Sequence, residues 1–148
     1  MSEVLDKPEV ARIYIDARGP RFGAVITTTV LALTLVTGNK WLLLAQGIVF
    51  AIGAVRGPQF TPYGLIFKNF IQPRLAQPGP TEDVRPPKFA QAVGFLFALV
   101  GTIAAFTGAD IVFTVATGFA LGAAFLNAAF NYCLGCEMYL LLVRLTSK

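Results

Sequence analysis

Two cysteines spaced three positions apart are the residues of this sequence best suited to chemistry. Cys133 and Cys136 are the only cysteines among the 148 residues, and Glu137 follows them directly. On a helix this spacing places the two thiols about 60° apart around the axis. Such a pair can form a disulfide, or one thiol can attack or carry sulfur while the other resolves the intermediate. Asn131 and Tyr132, just before the pair, are candidates to position and tune it.

The spacing alone leaves three interpretations of the pair open: reactive thiols, small side chains packed in a helix bundle, and metal ligands. Cysteine is well tolerated in buried packing. A metal site would need further ligands, from Glu137 or from Cys133 and Cys136 of a second copy in a dimer, so no metal is assigned. The chain has no histidine, which excludes histidine-ligated haem and a Ser-His-Asp triad within one chain. No cofactor is predicted, because no sequence pattern supports a quinone or metal site.

The reactivity of the pair depends on the path of the chain beside it. A helix N-terminus favours the thiolate, whereas a helix C-terminus and a neighbouring carboxylate disfavour it. If the last apolar helix is continuous, the pair lies near its C-terminal end. If the chain bends at Gly135 and a new helix begins at Glu137, Cys136 lies at a helix start and is the better candidate for attack. By order along the chain, Cys133 is the conventional attacking residue.

Charged residues are scarce and unevenly placed along the chain. They make up 14% of the sequence, against about 25% in a soluble domain. Long uncharged runs alternate with short charged segments, which is typical of a membrane protein. The sequence therefore predicts an all-α membrane protein with one domain over 1–148. Its expected architecture is a bundle of four transmembrane helices arranged as two parallel hairpins.

The runs also predict the boundaries of these elements. The predicted segments are a cytoplasmic leader (1–21), transmembrane helices (22–37, 41–55, 89–107 and 111–135), a cytoplasmic loop (56–88) and a cytoplasmic tail (136–148). Apolar residues at helical spacing within the loop predict a short amphipathic helix, about 64–72, in the membrane surface. The hairpins echo each other, since Pro20-Arg21-Phe22 resembles Pro87-Lys88-Phe89, which suggests an internal duplication.

The positions of the basic residues predict the orientation. Lys40 lies in a short turn, and the other eleven of the twelve Lys and Arg lie in the leader, the loop and the tail. The positive-inside rule places these three segments, and both termini, in the cytoplasm at the inner membrane. The basic residues are expected to contact anionic lipid, and no nucleic-acid partner is predicted. The residues predicted at the membrane interface are Arg18, Arg21, Arg56, Lys68, Arg74, Lys88 and Trp41.

Four amide side chains lie in or near the apolar runs: Gln46, Gln91, Asn127 and Asn131. Such groups hydrogen-bond to neighbouring helices or line a path for a solute. Glycine pairs at a four-residue spacing favour close helix packing in a compact bundle, which we expect to form a homo-oligomer.

The chain resembles an uncharacterised bacterial membrane family, common in actinobacteria, known as domain of unknown function 4395. The resemblance covers nearly the whole chain, and its most specific stretch is 127–137. It is carried by Arg18-Gly19-Pro20-Arg21-Phe22, Gly57-Pro58, Thr61-Pro62-Tyr63-Gly64, Pro87-Lys88-Phe89-Ala90-Gln91 and the segment from Asn127 to Glu137. The resemblance implies that the cysteine pair belongs to the family pattern, and it suggests a thioredoxin-like or rhodanese-like cytoplasmic partner. It supplies no established activity.

The expected function is thiol–disulfide exchange or sulfane-sulfur transfer at the cytoplasmic face, with Cys133, Cys136 and Glu137 at the site. Two alternatives remain. One is a small permease for a sulfur-containing solute, lined by the four amides. The other is a non-catalytic scaffold that recruits a cytoplasmic redox or sulfur protein. Whether the chain is an enzyme is left open.

Overall fold

The computed structural model describes residues 14–75, Gly79 and 81–146. Within this part, the chain forms six α-helices and two short strands. These are β1 (Tyr14–Asp16), α1 (Arg18–Thr37), α2 (Lys40–Arg56), α3 (Pro62–Ile66), β2 (Thr81–Asp83), α4 (Arg85–Thr107), α5 (Asp110–Phe130) and α6 (Leu134–Thr146). The predicted helical class is confirmed. The predicted leader before Tyr14 and the last two residues of the tail lie outside the described residues.

Three helices, α1, α4 and α5, are long and apolar enough to cross a membrane. They correspond to the first, third and fourth predicted spans. The helix of the second predicted span, α2, has 17 residues. At 1.5 Å per residue its length is about 26 Å, at the short end of the range for transmembrane helices.

The four long helices form a ring in which α1 and α4 each pack against both α2 and α5. Neighbouring helices run in opposite directions. Gly47 of α2 lies against Ala98 of α4, whereas Gly53, further along α2, lies against Gln91, which precedes Ala98 in α4. The helices α1 and α4 therefore begin at the same end of the bundle. The buried core between the helices consists of Leu31, Leu43, Phe50, Ala98, Ala104, Phe113 and Ala120.

The helices α1 and α4 begin with the same local structure, which extends the sequence echo. Asp16 accepts hydrogen bonds from the backbone N–H of Arg18 at 2.9 Å and from its guanidinium at 2.8 Å. Asp83 accepts from the backbone N–H of Arg85 at 2.9 Å and from its guanidinium at 2.6 Å. The strands that carry the two carboxylates pair antiparallel, with Asp16 opposite Thr81. This two-fold arrangement supports an internal duplication.

The Asp16 cluster gives the stability of the fold a pH dependence. The hydrogen bond from Arg18 lowers the pKa of the Asp16 carboxyl below its ordinary value, and Gln72 also donates to this carboxylate at 3.0 Å. A carboxyl with a lowered folded-state pKa stabilises the fold above its unfolded pKa of about 3.9, and this contribution is lost as the pH falls through the folded pKa.

We expect Asp16→Asn to lower the free energy of unfolding by about 1–3 kcal/mol at pH 7, because it weakens charge-assisted hydrogen bonds. Near pH 3 the difference from the wild type should shrink, since the carboxyl of the unfolded wild-type chain is then mostly protonated and folding must release that proton. Thermal unfolding in detergent, followed by circular dichroism at both pH values, checks this. An equal difference at both pH values would contradict the assigned role.

Each hairpin is followed by a further helical segment at the end where α1 and α4 begin. After α2 these are a 3₁₀ turn (Pro58–Phe60), α3, a π-helical turn (Phe67–Ile71) and a second 3₁₀ turn (Gln72–Arg74). The amphipathic helix predicted at about 64–72 is thus a series of short helical turns. After α5 the corresponding segment is α6.

Candidate functional site

The chain breaks between α5 and α6, just before the cysteine pair. Asn131 has a left-handed backbone conformation, with φ of 53°. Its N–H donates to the carbonyl of Asn127 at 3.1 Å, and the N–H of Tyr132 donates to the carbonyl of Leu126 at 3.2 Å. These bonds satisfy the last carbonyls of α5, and asparagine tolerates this conformation better than most residues. Asn131 therefore positions the pair by ending the helix.

This break corrects the predicted path of the chain. The fourth span was predicted to reach residue 135, but α5 ends at Phe130, because the left-handed turn at Asn131 interrupts the helical hydrogen bonds. For the following segment the sequence left open a continuous helix or a bend at Gly135 with a new helix from Glu137, and the structure has neither, because the chain turns at Asn131 and α6 already begins at Leu134. Gly135 is a helical residue in the first turn of α6.

Cys133 occupies the cap position at the N-terminus of α6. Its carbonyl accepts the first helical hydrogen bond, from the N–H of Glu137 at 3.0 Å. Its Sγ accepts a hydrogen bond from the backbone N–H of Cys136 at 3.1 Å. The condition under which Cys136 would stand at the helix start is not met, since Cys133 holds that position and Cys136 lies in the first turn.

The two sulfur atoms are joined as a disulfide, with the Cα atoms 5.2 Å apart. Both cysteines are partly exposed. Glu137 and Tyr132 are exposed on either side of them. The Glu137 carboxylate lies in the first turn of α6, where negative charge stabilises a helix. A negative charge at this position opposes the formation of a thiolate nearby, whereas the helix dipole favours it.

The first half of the protein contains a counterpart of this cap without sulfur. Thr61 caps α3, and its Oγ1 accepts a hydrogen bond from the N–H of Gly64 at 3.1 Å, with the same three-residue spacing. A side chain at Gly64 has no room, because its Cβ would collide with the backbone of Pro58 and Gln59. Both halves of the chain therefore have a capped helix at this place, and in the first half the position of the second cysteine has no room for a side chain.

The helix α4 forms the platform that holds the cysteines. A Cβ atom built at Gly135 would lie 2.5 Å from the Cβ and 2.6 Å from the Cα of Ala90, so the first turn of α6 rests directly on α4. One turn later the ring of Tyr139 packs on Phe89, with centroids 5.7 Å apart. Neither Gly135 nor Ala90 is singled out by the sequence as a site residue, because only the fold brings them together.

Most of the predicted interface residues lie near the end of the bundle where α1 and α4 begin, which we call the basic end. Its cations include Arg18, Arg21, Arg56, Lys68, Arg74, Arg85 and Lys88. Arg21 also links the two halves, because its Nε donates to the carbonyl of Ala128 in the last turn of α5 at 3.1 Å. Trp41 lies at the opposite end, is 61% exposed, and packs on Phe106 with ring centroids 5.4 Å apart.

The four predicted amides have different surroundings. Gln46 is 1% exposed; its Nε2 donates to Thr27 Oγ1 at 3.3 Å, and its Oε1 accepts from the Tyr63 hydroxyl at 2.7 Å. Gln91 lines a cavity of about 20 Å³, large enough for about one water molecule, and its buried Oε1 has no hydrogen-bond partner in the described part of the chain. This cavity does not touch Gln46, and Asn127 lies at the end of α5.

The Tyr63–Gln46 bond carries a second stability prediction. Burial raises the pKa of the Tyr63 phenol, so the hydroxyl stays protonated and donates at neutral pH. We expect Tyr63→Phe to lower the free energy of unfolding by about 1–3 kcal/mol, because it leaves the buried Gln46 Oε1 without a donor. Thermal unfolding should show little change for the control Tyr132→Phe, whose side chain is exposed. Equal effects of the two substitutions would refute the structural role of Gln46.

No metal site is formed by the described residues, among which no group of three or more Cys, Asp or Glu side chains is close enough to bind an ion. The chemistry that the arrangement offers is that of a dithiol at a helix start. The fold and the site thus define a helical protein with several candidate membrane spans and a Cys-x-x-Cys disulfide at the N-terminus of its last helix.

The chain belongs to the family described as Domain of unknown function (DUF4395), whose model matches residues 15–144. The predicted domain family is thereby confirmed, while the match itself shows neither the source nor the membrane nature that the resemblance implied. No curated protein and no solved structure matches the chain.

Proposed function

We propose that this protein spans the cytoplasmic membrane four times and carries out thiol–disulfide exchange or sulfane-sulfur transfer through Cys133 and Cys136 at its cytoplasmic face. One observation carries the proposal: Cys133 caps α6, and Cys136 lies within disulfide-bonding distance in the first turn. A helix N-terminus stabilises the thiolate, which is the reactive form of cysteine.

The packing supports four spans. The short helix α2 is held between α1 and α4, both of which are long and apolar enough to cross a membrane. Because α2 packs along two helices that cross the membrane in this proposal, α2 crosses the membrane as well. The positive-inside rule then places the basic end, with both termini and the cysteine pair, in the cytoplasm.

In thiol–disulfide exchange, the Cys133 thiolate attacks one sulfur of a disulfide in a partner protein and releases the other partner sulfur as a thiolate. The Cys136 thiolate then attacks Cys133 Sγ, which forms the Cys133–Cys136 disulfide and releases the second partner thiolate. The partner disulfide is reduced by two electrons, and the pair is oxidised by the same two. The released partner thiolates take up the two protons lost by the pair.

Sulfane-sulfur transfer uses the same two residues. The Cys133 thiolate attacks the outer sulfur of thiosulfate and releases sulfite, which leaves a persulfide on Cys133. Attack by Cys136 on Cys133 Sγ then forms the disulfide and releases the outer sulfur as hydrogen sulfide anion. The dithiol is oxidised by two electrons, and its two protons remain on the released sulfite and sulfide.

The position of the pair favours a macromolecular partner. Small-molecule sites are concave, with polar groups that fix the ligand. The cavity beside Gln91 does not include the cysteines, and a groove of about 490 Å³ lies at the opposite end, between the two hairpin turns. The partly exposed disulfide at the surface is better suited to a protein thiol, such as that of a thioredoxin-like or rhodanese-like protein.

The test is a thiol-alkylation mass shift on membranes treated with a mild reductant, a mild oxidant or thiosulfate. The wild type is compared with Cys133→Ser and Cys136→Ser. We expect reversible conversion between dithiol and disulfide in the wild type, and a persulfide mass on Cys133 after thiosulfate treatment of Cys136→Ser. Serine is also a good helix cap, so neither change should remove the start of α6.

Three outcomes oppose the proposal. Thiols that stay reduced and unreactive under every condition would assign the pair to packing. If both serine variants support full growth and partner binding while Gln46 and Gln91 variants change solute uptake in vesicles, the permease is the better explanation. Partner recruitment that survives the loss of both cysteines would indicate the scaffold.

A further inference from the structure

The later turns of α6 leave large apolar side chains uncovered. Leu140, Leu141, Leu142, Val143 and Leu145 are each between 43% and 61% exposed. At its beginning α6 packs on α4, where Gly135 rests on Ala90 and the ring of Tyr139 packs on Phe89. A helix that is apolar on most of its surface is not stable in water and is normally covered by protein or lipid.

The charged residues of α6 form a narrow stripe. Glu137 and Arg144 are seven positions apart, so they lie within about 20° of each other around the helix. By the same count, Leu142 lies within about 20° of Gly135, on the side of α6 that faces α4. This geometry gives α6 one side that suits water and an opposite side that is apolar beyond Tyr139 except for Thr146, whose hydroxyl donates to the Leu142 carbonyl at 2.9 Å.

Two observations indicate that lipid covers this surface. First, α6 packs against α4 and α5, two candidate spans that themselves expose large apolar side chains, among them Leu96, Leu99 and Phe119. Second, α6 lies at the basic end, whose cations match the charge of anionic lipid headgroups. The helical turns that follow α2 are the counterpart of α6 in the first half of the chain. They also expose apolar side chains, Ile66 and Phe70, beside the cation Lys68.

We propose that α6 lies in the headgroup layer of the membrane, parallel to its surface, with Leu142 toward the acyl chains and the Glu137–Arg144 stripe toward water. The bilayer is thus the partner that covers α6. Because Cys133 and Cys136 form the first turn of this helix, their depth is set by the lipid, so a reacting group must approach them at the headgroup layer. This inference concerns the α6 surface and does not depend on whether the dithiol is reactive.

The test measures the depth of single side chains. In a Cys133→Ser/Cys136→Ser background, a new cysteine at Leu142, Arg144 or Phe119 is labelled with nitrobenzoxadiazole. The protein is then reconstituted in vesicles of phosphatidylcholine and phosphatidylglycerol. Quenching by lipids brominated on the acyl chains is compared with quenching by iodide in the buffer.

We expect the Leu142→Cys label to be quenched several-fold more by brominated lipid than the Arg144→Cys label, and iodide to show the reverse order. The Phe119→Cys label, on the outer face of α5, provides the reference for a lipid-facing position. Equal iodide quenching at Leu142 and Arg144 would overturn the proposal. Protection of Leu142 from both quenchers, with energy transfer between differently labelled copies, would also overturn it and assign the surface to a second copy.

Discussion

The variant that retains only Cys133, Cys136→Ser, is expected to be alkylated by iodoacetamide about tenfold faster at pH 7 than the variant that retains only Cys136, Cys133→Ser. The reason is that Cys133 caps α6 and its Sγ accepts the N–H of residue 136. Both effects stabilise the thiolate, and each unit by which a thiol pKa falls below about 8.5 raises the thiolate fraction near neutral pH about tenfold. Both cysteines are partly exposed, so access differs little between them.

The measurement is the alkylation rate as a function of pH in detergent. The rate for Cys136→Ser should reach its plateau at a lower pH than the rate for Cys133→Ser. Equal midpoints would show that α6 does not activate Cys133. A lower midpoint for Cys136 would reverse the roles of the two residues in the proposed reaction. Adding Glu137→Gln to Cys136→Ser should lower the Cys133 midpoint further, because it removes a neighbouring negative charge.

The second large effect is expected at Gly135. We expect Gly135→Ala to lower the free energy of unfolding by about 1–3 kcal/mol, because the added methyl group overpacks the contact with Ala90 and forces α6 away from α4. The matched control is Gly122→Ala in α5, where a Cβ meets nothing within 4 Å. Alanine is favoured over glycine within a helix by up to about 1 kcal/mol, so the control should be neutral or stabilising.

Thermal unfolding of both variants in detergent checks this prediction. Adding Ala90→Gly to Gly135→Ala should restore only part of the stability, because the new methyl group also approaches the Ala90 Cα. The exchange between dithiol and disulfide should slow in Gly135→Ala, since the first turn of α6 positions both cysteines. If Gly135→Ala and Gly122→Ala unfold at the same temperature, α4 does not support the cysteine pair.

Much of the architecture was accessible from the sequence, because it depends on local patterns. Uncharged runs predict apolar helices, and a left-handed glycine ends α1 at Gly38 and α4 at Gly108 as the short turns require. The sequence Asp-x-Arg precedes the first helix of each hairpin, at Asp16 and Asp83, and is a local pattern of the same kind. The Cys-x-x-Cys spacing likewise identified the candidate chemistry.

The sequence by itself determined that the chain has apolar helices and one dithiol, since both follow from residue type and spacing. Only the tertiary structure decided which cysteine lies at the cap position of a helix. The choice depends on the left-handed turn at Asn131, a conformation open to several residue types, and on the contact between Gly135 and Ala90, which are far apart in the chain. The residue at which a new helix starts within an apolar run depends on such packing. The local preferences of the residues are met equally well by one continuous helix and by two helices separated by a turn.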